Sequence, residues 1–363
     1  MIQKIHSKLF LFLFLIPFIA LANTDLPHKA KYNKEKTISK TFNVNSNATL
    51  KVDNSFGNIN VITWDENRIE FDITIKVSGN DDEKVNERLE GIDIDFTSSN
   101  SLVSAITKIE KNKSNWWNWG KKMNLKMEID YLIKLPMTNN VDLKNKFGAI
   151  ALDKLKGDSK IRCDHGKITT KELLSNTNDI DFNHSRGNYF DYIKNANISA
   201  THSDFTIGKI EELRLRAQHT RSYVEIAEIV DFRCSHGSIK VDKANAIDGT
   251  SQHLTTRIGD IFKSAKINTS HGSLKIARFA SKANSLDIDT SFTSTTIGYD
   301  ASSNFNFDLD FQHGSLRDSE GFNFTNKDTR NHSKKYKGYY GSKDTRNTIT
   351  ITSQHASVTF KKI

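Results

Sequence analysis

The 363-residue chain has little of what usually announces chemistry: two cysteines, three prolines and no recognisable catalytic run. Cys163 and Cys234 alone cannot staple a disulfide scaffold. There is no G-x-S-x-G elbow, H-E-x-x-H, phosphate-cradling glycine loop or C-x-x-C, which sets aside the common hydrolase, metalloprotease, nucleotide-binding and thiol-redox classes. Glycine-rich calcium nonapeptides are absent too, so calcium is not implied. The formal charge of +9 is scattered along the chain. With no basic cluster, nucleic acid is not an expected partner.

A long apolar run is also missing. The one such stretch, Leu9–Leu21, has 13 residues and is broken by Pro17, whereas a spanning helix needs about 20 apolar residues. Lys4 and Lys8 before it and Ala20-Leu21-Ala22 after it read as a secretory signal peptide, residues 1–22, cut near Ala22. The expected mature chain carries a charge of +7 and has no transmembrane segment. It works outside the cytoplasm, in the periplasm or at the cell surface.

What is present is alternation. Residues 23–40 are polar and read as a leader. Thr41–Val52, Arg68–Val77, Ile92–Phe96, Leu102–Ile109 and Leu125–Leu135 alternate apolar and polar, as half-buried strands do. Asp81–Leu89 puts acids first and Val85 and Leu89 four apart, the pattern of one short amphipathic helix. Between the last two strands, Lys111–Lys122 holds three of the four tryptophans. Trp116, Trp117 and Trp119, with Lys121 and Lys122, suit contact with a glycan or membrane interface, or else cover an open end of the sheet.

From Val141 one phrase returns without pause, most plainly as Cys234-Ser-His-Gly-Ser-Ile-Lys-Val241. With its ring residue as position 0, copies fall at Phe147, His165, His184, His202, His219, His236, His253, His271, Phe292 and His313, spaced by 17 to 21 residues. Further copies stand at Phe56 and His355. Position −4 is apolar in nearly every copy, −2 is mostly small, and +3 and +5 are apolar again. A strand cannot move its inward set to the other parity without a corner or an extra residue. Gly at +1 in half the copies marks that corner, where positive φ or a bulge is cheap.

An 18-residue strand–corner–strand unit predicts an all-β fold, a β-solenoid of parallel-β-helix type, each coil ~4.8 Å from the next. The competing arrangement is a meandering sheet or β-sandwich. Residues 41–140, with the helix, would open and cap the solenoid of residues 141–316. An insertion loop or hairpin, 317–347, would precede a C-terminal coil, 348–363, that closes it. Both cysteines occupy −2, four coils and about 19 Å apart at strand spacing. A disulfide needs under about 7 Å, so they should be free and buried.

Leu50-Lys-Val-Asp-Asn-Ser-Phe-Gly-Asn-Ile-Asn-Val-Ile-Thr-Trp64, the strand ending Ile133-Lys-Leu-Pro136, the repeats from Val141 and Tyr339-Tyr-Gly-Ser342 before Thr348–Phe360 together resemble the DUF4097-type β-strand-repeat adhesin-like proteins common in the Bacteroidetes. The resemblance spans nearly the whole mature chain and implies an exported, repetitive β protein of the envelope with no catalytic residues. The near-constant His at position 0 and the Trp-rich insertion depart from that pattern.

In a solenoid the histidines stand in a column. His165, His184, His202, His219, His236, His253 and His271 are candidate ligands for zinc or copper, or could charge together in mildly acidic solution. Their interchange with Phe56, Phe147 and Phe292 favours a packing role: stacked, partly buried rings at a corner. A linear column lacks the convergent ligands of a metal centre, so no cofactor is expected. A carbohydrate-active β-helix enzyme would need carboxylates at a fixed separation. Here Asp164, Asp181, Asp204 and Asp231 fall at four different repeat positions. Tyr336, Tyr339 and Tyr340, beside Lys334 and Lys335, offer a further contact surface. The expected function is a non-catalytic binding, adhesion or scaffold surface, its partner an envelope component, glycan or protein.

Overall fold

The computed structural model describes residues 30–110 and 125–363. The expected signal peptide and Trp116, Trp117, Trp119, Lys121 and Lys122 lie outside the described residues. Most described residues are in strands, and the one helix among them is Asp82–Glu90. The strands form a single 23-stranded sheet, nearly closed and barrel-like, around one continuous apolar core.

The repeats sit side by side in parallel register. Ser159–Asp164 lies between Asn140–Lys146 and Asn178–Asn183, so Ile161 faces Leu143 on one side and Ile180 on the other. Lys167–Leu173 lies between Ala149–Leu152 and Asn188–Thr201, with Ile168 opposite Ile150. Pairing like positions stacks like side chains. Leu143, Ile161, Ile180, Ile198, Leu215 and Phe232 form one buried column, and Ile150, Ile168, Ile239 and Leu274 belong to a second. Burying an aliphatic or aromatic side chain contributes about 1.5–3 kcal/mol, so the apolar positions fix the register. Cys163 and Cys234 are free and buried, as that register requires.

The left-handed residue of the corner is not the glycine. Phe56, Phe147, His165, His184, His202, His219, His236, His253, His271, Phe292, His313 and His355 all have φ between 48° and 65°. Of the +1 glycines only Gly57 and Gly237 also have positive φ, 152° and 138°; the demand they all answer is close approach of a neighbouring segment's backbone. A Cβ on Gly148 would stand 1.8 Å from the carbonyl oxygen of Gly57, and one on Gly166 1.9 Å from that of Gly148. Backbone thus passes directly over backbone at the corners that carry glycine.

Three sequence expectations change at the ends. The leader is a strand from Tyr32 to Asn43, antiparallel to Arg68–Gly79. Its inward positions include Lys34 and Lys36, whose stems lie along the helix region while Lys34 pairs with Asp82 and Lys36 donates to the Ile92 carbonyl. Such snorkelling hides a strand from an apolar count. The expected strand Thr41–Val52 is split by a turn around Ser46 and Asn47.

The C-terminal strand does not close the stack. Thr348–Gln354 inserts between Ser285–Ser291 and Phe305–Gln312, parallel to both. The last position belongs to the hairpin Phe322–Arg330 and Ser333–Tyr340, whose second strand runs antiparallel to Phe305–Gln312. The hairpin carries the chain back far enough for its tail to fill the remaining place. At the other end the order is again not sequential. Leu102–Ile109 and Lys126–Pro136 lie outside Thr49–Ser55 and Ile59–Trp64. The helix there is capped by Asp81, which accepts from the Lys84 amide, and is anchored by buried Val85.

Candidate binding surface

Each corner needs a residue that accepts φ near +50°. Among residues with a Cβ, His, Asn and Asp enter this region most readily. Asn or Asp would satisfy the backbone alone, but a ring adds a face for its neighbours. From Phe56 through Phe147, His165, His184, His202, His219, His236, His253, His271 and Phe292, consecutive rings stack at 4.7–5.3 Å between centroids. The inserted tail continues the row through His355, then His313 and His332, at 4.5–4.8 Å. Thirteen rings make a spine on the order of 60 Å long at the ~4.8 Å strand spacing.

The spine is a surface feature. The histidines are exposed, and Phe147 and Phe292 keep 43% and 52% of their area in solvent. This corrects the expectation of partly buried rings. Positive φ swings the side chain away from the inward set to which −4 and −2 belong. Ring faces cover one another and ring edges meet water. Lys146 adds a cation 5.2 Å from the Phe147 centroid.

The planes within the spine are tilted by at most 30°. His165, His184, His202, His219, His236, His253 and His271 therefore turn π faces, not nitrogen lone pairs, towards one another. A metal needs lone pairs that converge. Among the described residues no group of three His, Cys, Asp or Glu is placed to hold a metal ion.

Beneath the rings the +1 residues form a ladder that sequence reading missed. In four of the six copies without glycine, a buried hydroxyl takes its place: Ser185, Ser203, Thr220 and Thr293. Thr220 Oγ1 donates to the Gln218 carbonyl and accepts from the Ser203 amide. Ser203 Oγ donates to the Thr201 carbonyl and accepts from the Ser185 amide. Each rung closes its own corner and satisfies an amide of the adjacent repeat, an obligation for buried backbone. The signal was the restriction of +1 to Gly, Ser or Thr in ten of the twelve copies.

Beside the spine, positions −1 and −3 of five repeats line a groove of about 690 Å³. Thr201, Gln218, Ser235, Gln252 and Ser270 form its row at −1, and Ser199, Arg216, Arg233, Thr250 and Asn268 its row at −3. No acid lines it.

The other candidates separate. Tyr340 is buried: its ring stacks on Phe305 at 5.4 Å and its hydroxyl donates to the Ala301 carbonyl. It belongs to an aromatic cluster with Tyr299 and Phe322 and is not available to a partner. Tyr336 is half-buried against Phe311 and Phe324, and Tyr339 is half-buried on the same strand. The acids stay scattered. Asp204 accepts from the Gly187 amide and Arg221. Burial first, then neighbouring Asp164, pushes the Asp181 carboxyl above its ordinary range. Burial also raises the thiols, Cys163 to about 11 and Cys234 to about 12, so neither is poised as a nucleophile.

No protein-family profile and no characterised protein matches the chain. Solved structures that resemble it include provisionally named adhesins. One from Parabacteroides merdae has 10% identity and a TM-score of 0.33, covering 90% of this chain and 96% of its own. One from Parabacteroides distasonis has 9% identity and a TM-score of 0.33, covering 90% and 97%. A third, from Bacteroides fragilis, has 13% identity and a TM-score of 0.24, covering 90% and 97%. Likeness at this level carries no argument, and the reading below rests on this chain's own geometry.

Proposed function

We propose that this is an exported envelope protein acting through its surface, without catalysis, as a binding, adhesion or scaffold element. Its wall is read as a β-solenoid with coils of about 18 residues, because like positions pair in parallel from one repeat to the next. The segment 41–140 caps one end. The hairpin within 317–347 covers the other, where its Lys, Asn and Asp side chains blunt the edge against further pairing. The helix found among the described residues is too short to cross a membrane.

The observation that carries the reading is the exposed spine. A row of rings this long, held at an unusual φ in every copy, presents a straight, rigid edge to solvent. Conformational freedom is already spent there, which favours association with an extended partner. The parallel ring planes support packing and presentation over metal binding.

The test is labelling of intact cells that make the protein with a membrane-impermeant amine reagent. Lysines such as Lys146, beside the spine, should be modified. Labelling that appears only after the outer barrier is opened would overturn the adhesion form of the reading and leave a periplasmic scaffold.

A further inference from the structure

We propose that the groove beside the histidine spine binds a linear acidic polysaccharide, with Arg216 and Arg233 holding its carboxylates. The proposal rests on the binding-surface reading above and names the ligand class. Arg216 and Arg233 are exposed at position −3 of adjacent repeats, where the spine rings His219 and His236 are 4.8 Å apart. Their sequence neighbours are occupied, Arg214 with Glu212 and Arg221 with Asp204. Among the described residues no ion pair reaches Arg216 or Arg233. Two free guanidinium groups one strand spacing apart match carboxylates carried along an extended chain, since the planar fork of Arg suits them in pairs.

The row at −3 also marks where the site ends. Read along the stack it runs Asp181, Ser199, Arg216, Arg233, Thr250, Asn268 and Asp289. Acids stand at both limits and none between, so an anion is favoured only over the middle five repeats, roughly 19 Å at strand spacing. Within that length the row at −1 offers only hydroxyls and amides. Those groups both donate and accept, as sugar hydroxyls require. Single-stranded nucleic acid needs open aromatic faces on which bases stack. Here every spine ring between His202 and His271 has its faces covered by its neighbours.

The experiment titrates the purified protein with a fluorescent α-1,4-linked galacturonate octamer, the uncharged α-1,4-linked glucose octamer maltooctaose and a deoxythymidine decamer. The acidic octamer should bind at least tenfold more tightly than either comparison and weaken with added salt. Arg216→Gln and Arg233→Gln should each weaken it about tenfold, and together by more than either alone, the excess being non-additive because the two groups are neighbours on one ligand. Arg221→Gln, whose guanidinium is already held by Asp204, should leave it unchanged. No binding of the octamer at millimolar concentration would overturn the proposal. So would equal binding of the neutral sugar, tighter binding of the decamer, or a double variant that binds like the parent. Because the titration needs only purified protein, its failure leaves the labelling of intact cells free to decide the envelope reading.

Discussion

His219 lets the corner be tested one physical requirement at a time. Its φ is 50°, and its ring stacks on His202 at 4.7 Å and on His236 at 4.8 Å. A left-handed conformation costs an L-residue roughly 1–2 kcal/mol, and each ring pair returns about 0.5–1.5 kcal/mol. His219→Phe keeps both pairs and a conformation that Phe147 and Phe292 already adopt, so stability should change by under about 1 kcal/mol. His219→Gly loses both pairs, about 1–3 kcal/mol, but removes the conformational cost, for a net loss of about 0–2 kcal/mol. His219→Asn loses the pairs and tolerates the backbone, costing about 1–3 kcal/mol. His219→Val loses the pairs and puts a β-branched side chain where it is a true outlier, costing about 3–5 kcal/mol.

The assay is urea unfolding followed by far-ultraviolet circular dichroism, with hydrogen exchange of the Ser203 and Thr220 amides as the local readout. The local readout is needed because repeat proteins can unfold in parts, where a single midpoint is not defined. The expected order of cost is Phe, Gly, Asn, Val. If Val proves neutral, the corner does not demand positive φ. If Phe costs as much as Val, the ring column is not an interchangeable stack.

Three further outcomes follow from the same geometry. Gly166→Ala would set a Cβ 1.9 Å from the Gly148 oxygen and 2.7 Å from Cys163 Sγ, so it should lose at least about 1–3 kcal/mol. Gly187→Ala meets nothing nearer than 3.9 Å and should cost only its conformational penalty in the same urea assay. Ending the chain before Thr348 removes buried Ile349, Ile351, Val358 and Phe360, about 6–12 kcal/mol of burial. It also leaves Ser285–Ser291 and Phe305–Gln312 facing an empty strand position, so light scattering should show more association than in the parent. The thiols should ignore a disulfide reagent at pH 8 until the protein unfolds. Since the unfolded thiol gives up its proton first, their contribution to stability is complete below the ordinary thiol pKa of about 8.5. It is lost as pH rises through about 11 for Cys163 and about 12 for Cys234. Replacing both by Ala should flatten that alkaline decline in a pH series of urea midpoints.

The strand content and the stacking of like positions were legible because both depend on apolar periodicity. Ile161 between Leu143 and Ile180 is what the −4 column predicted. Three things were hidden. The strand at Tyr32 carries lysines on its inward side, and a charged head with a long stem reads as polar. The order of strands at the ends was invisible, because spacing along the chain does not say which gap a late strand fills; Thr348–Gln354 takes a place between two earlier ones. The corner was assigned to glycine because glycine is the default left-handed residue. A choice between two adjacent residues turns on which carries positive φ and which must lack a Cβ. The phrase contains both, and at Gly237 the glycine carries positive φ as well, so the letters alone do not assign the two roles. Tyr340 shows the same limit: a Tyr/Lys-rich strand looks like surface until Phe305 and Tyr299 close over one of its rings.

The spine need not be divided between packing and function. If the corner asked only for positive φ, Gly or Asn would meet it at lower cost, and twelve copies would show some of each. All twelve hold an aromatic ring instead. Mutual stacking accounts for rings, but it would be served equally by Phe, which would leave an oily ridge about 60 Å long at the ~4.8 Å strand spacing. An exposed apolar patch of that size invites association. Histidine supplies the same flat face with a polar edge. The three phenylalanines lie towards the two ends of the row, and the unbroken run from His165 to His271 occupies its middle, beside the groove. That placement is the reason to test the middle of the spine for a polar ligand, and its ends for packing against caps.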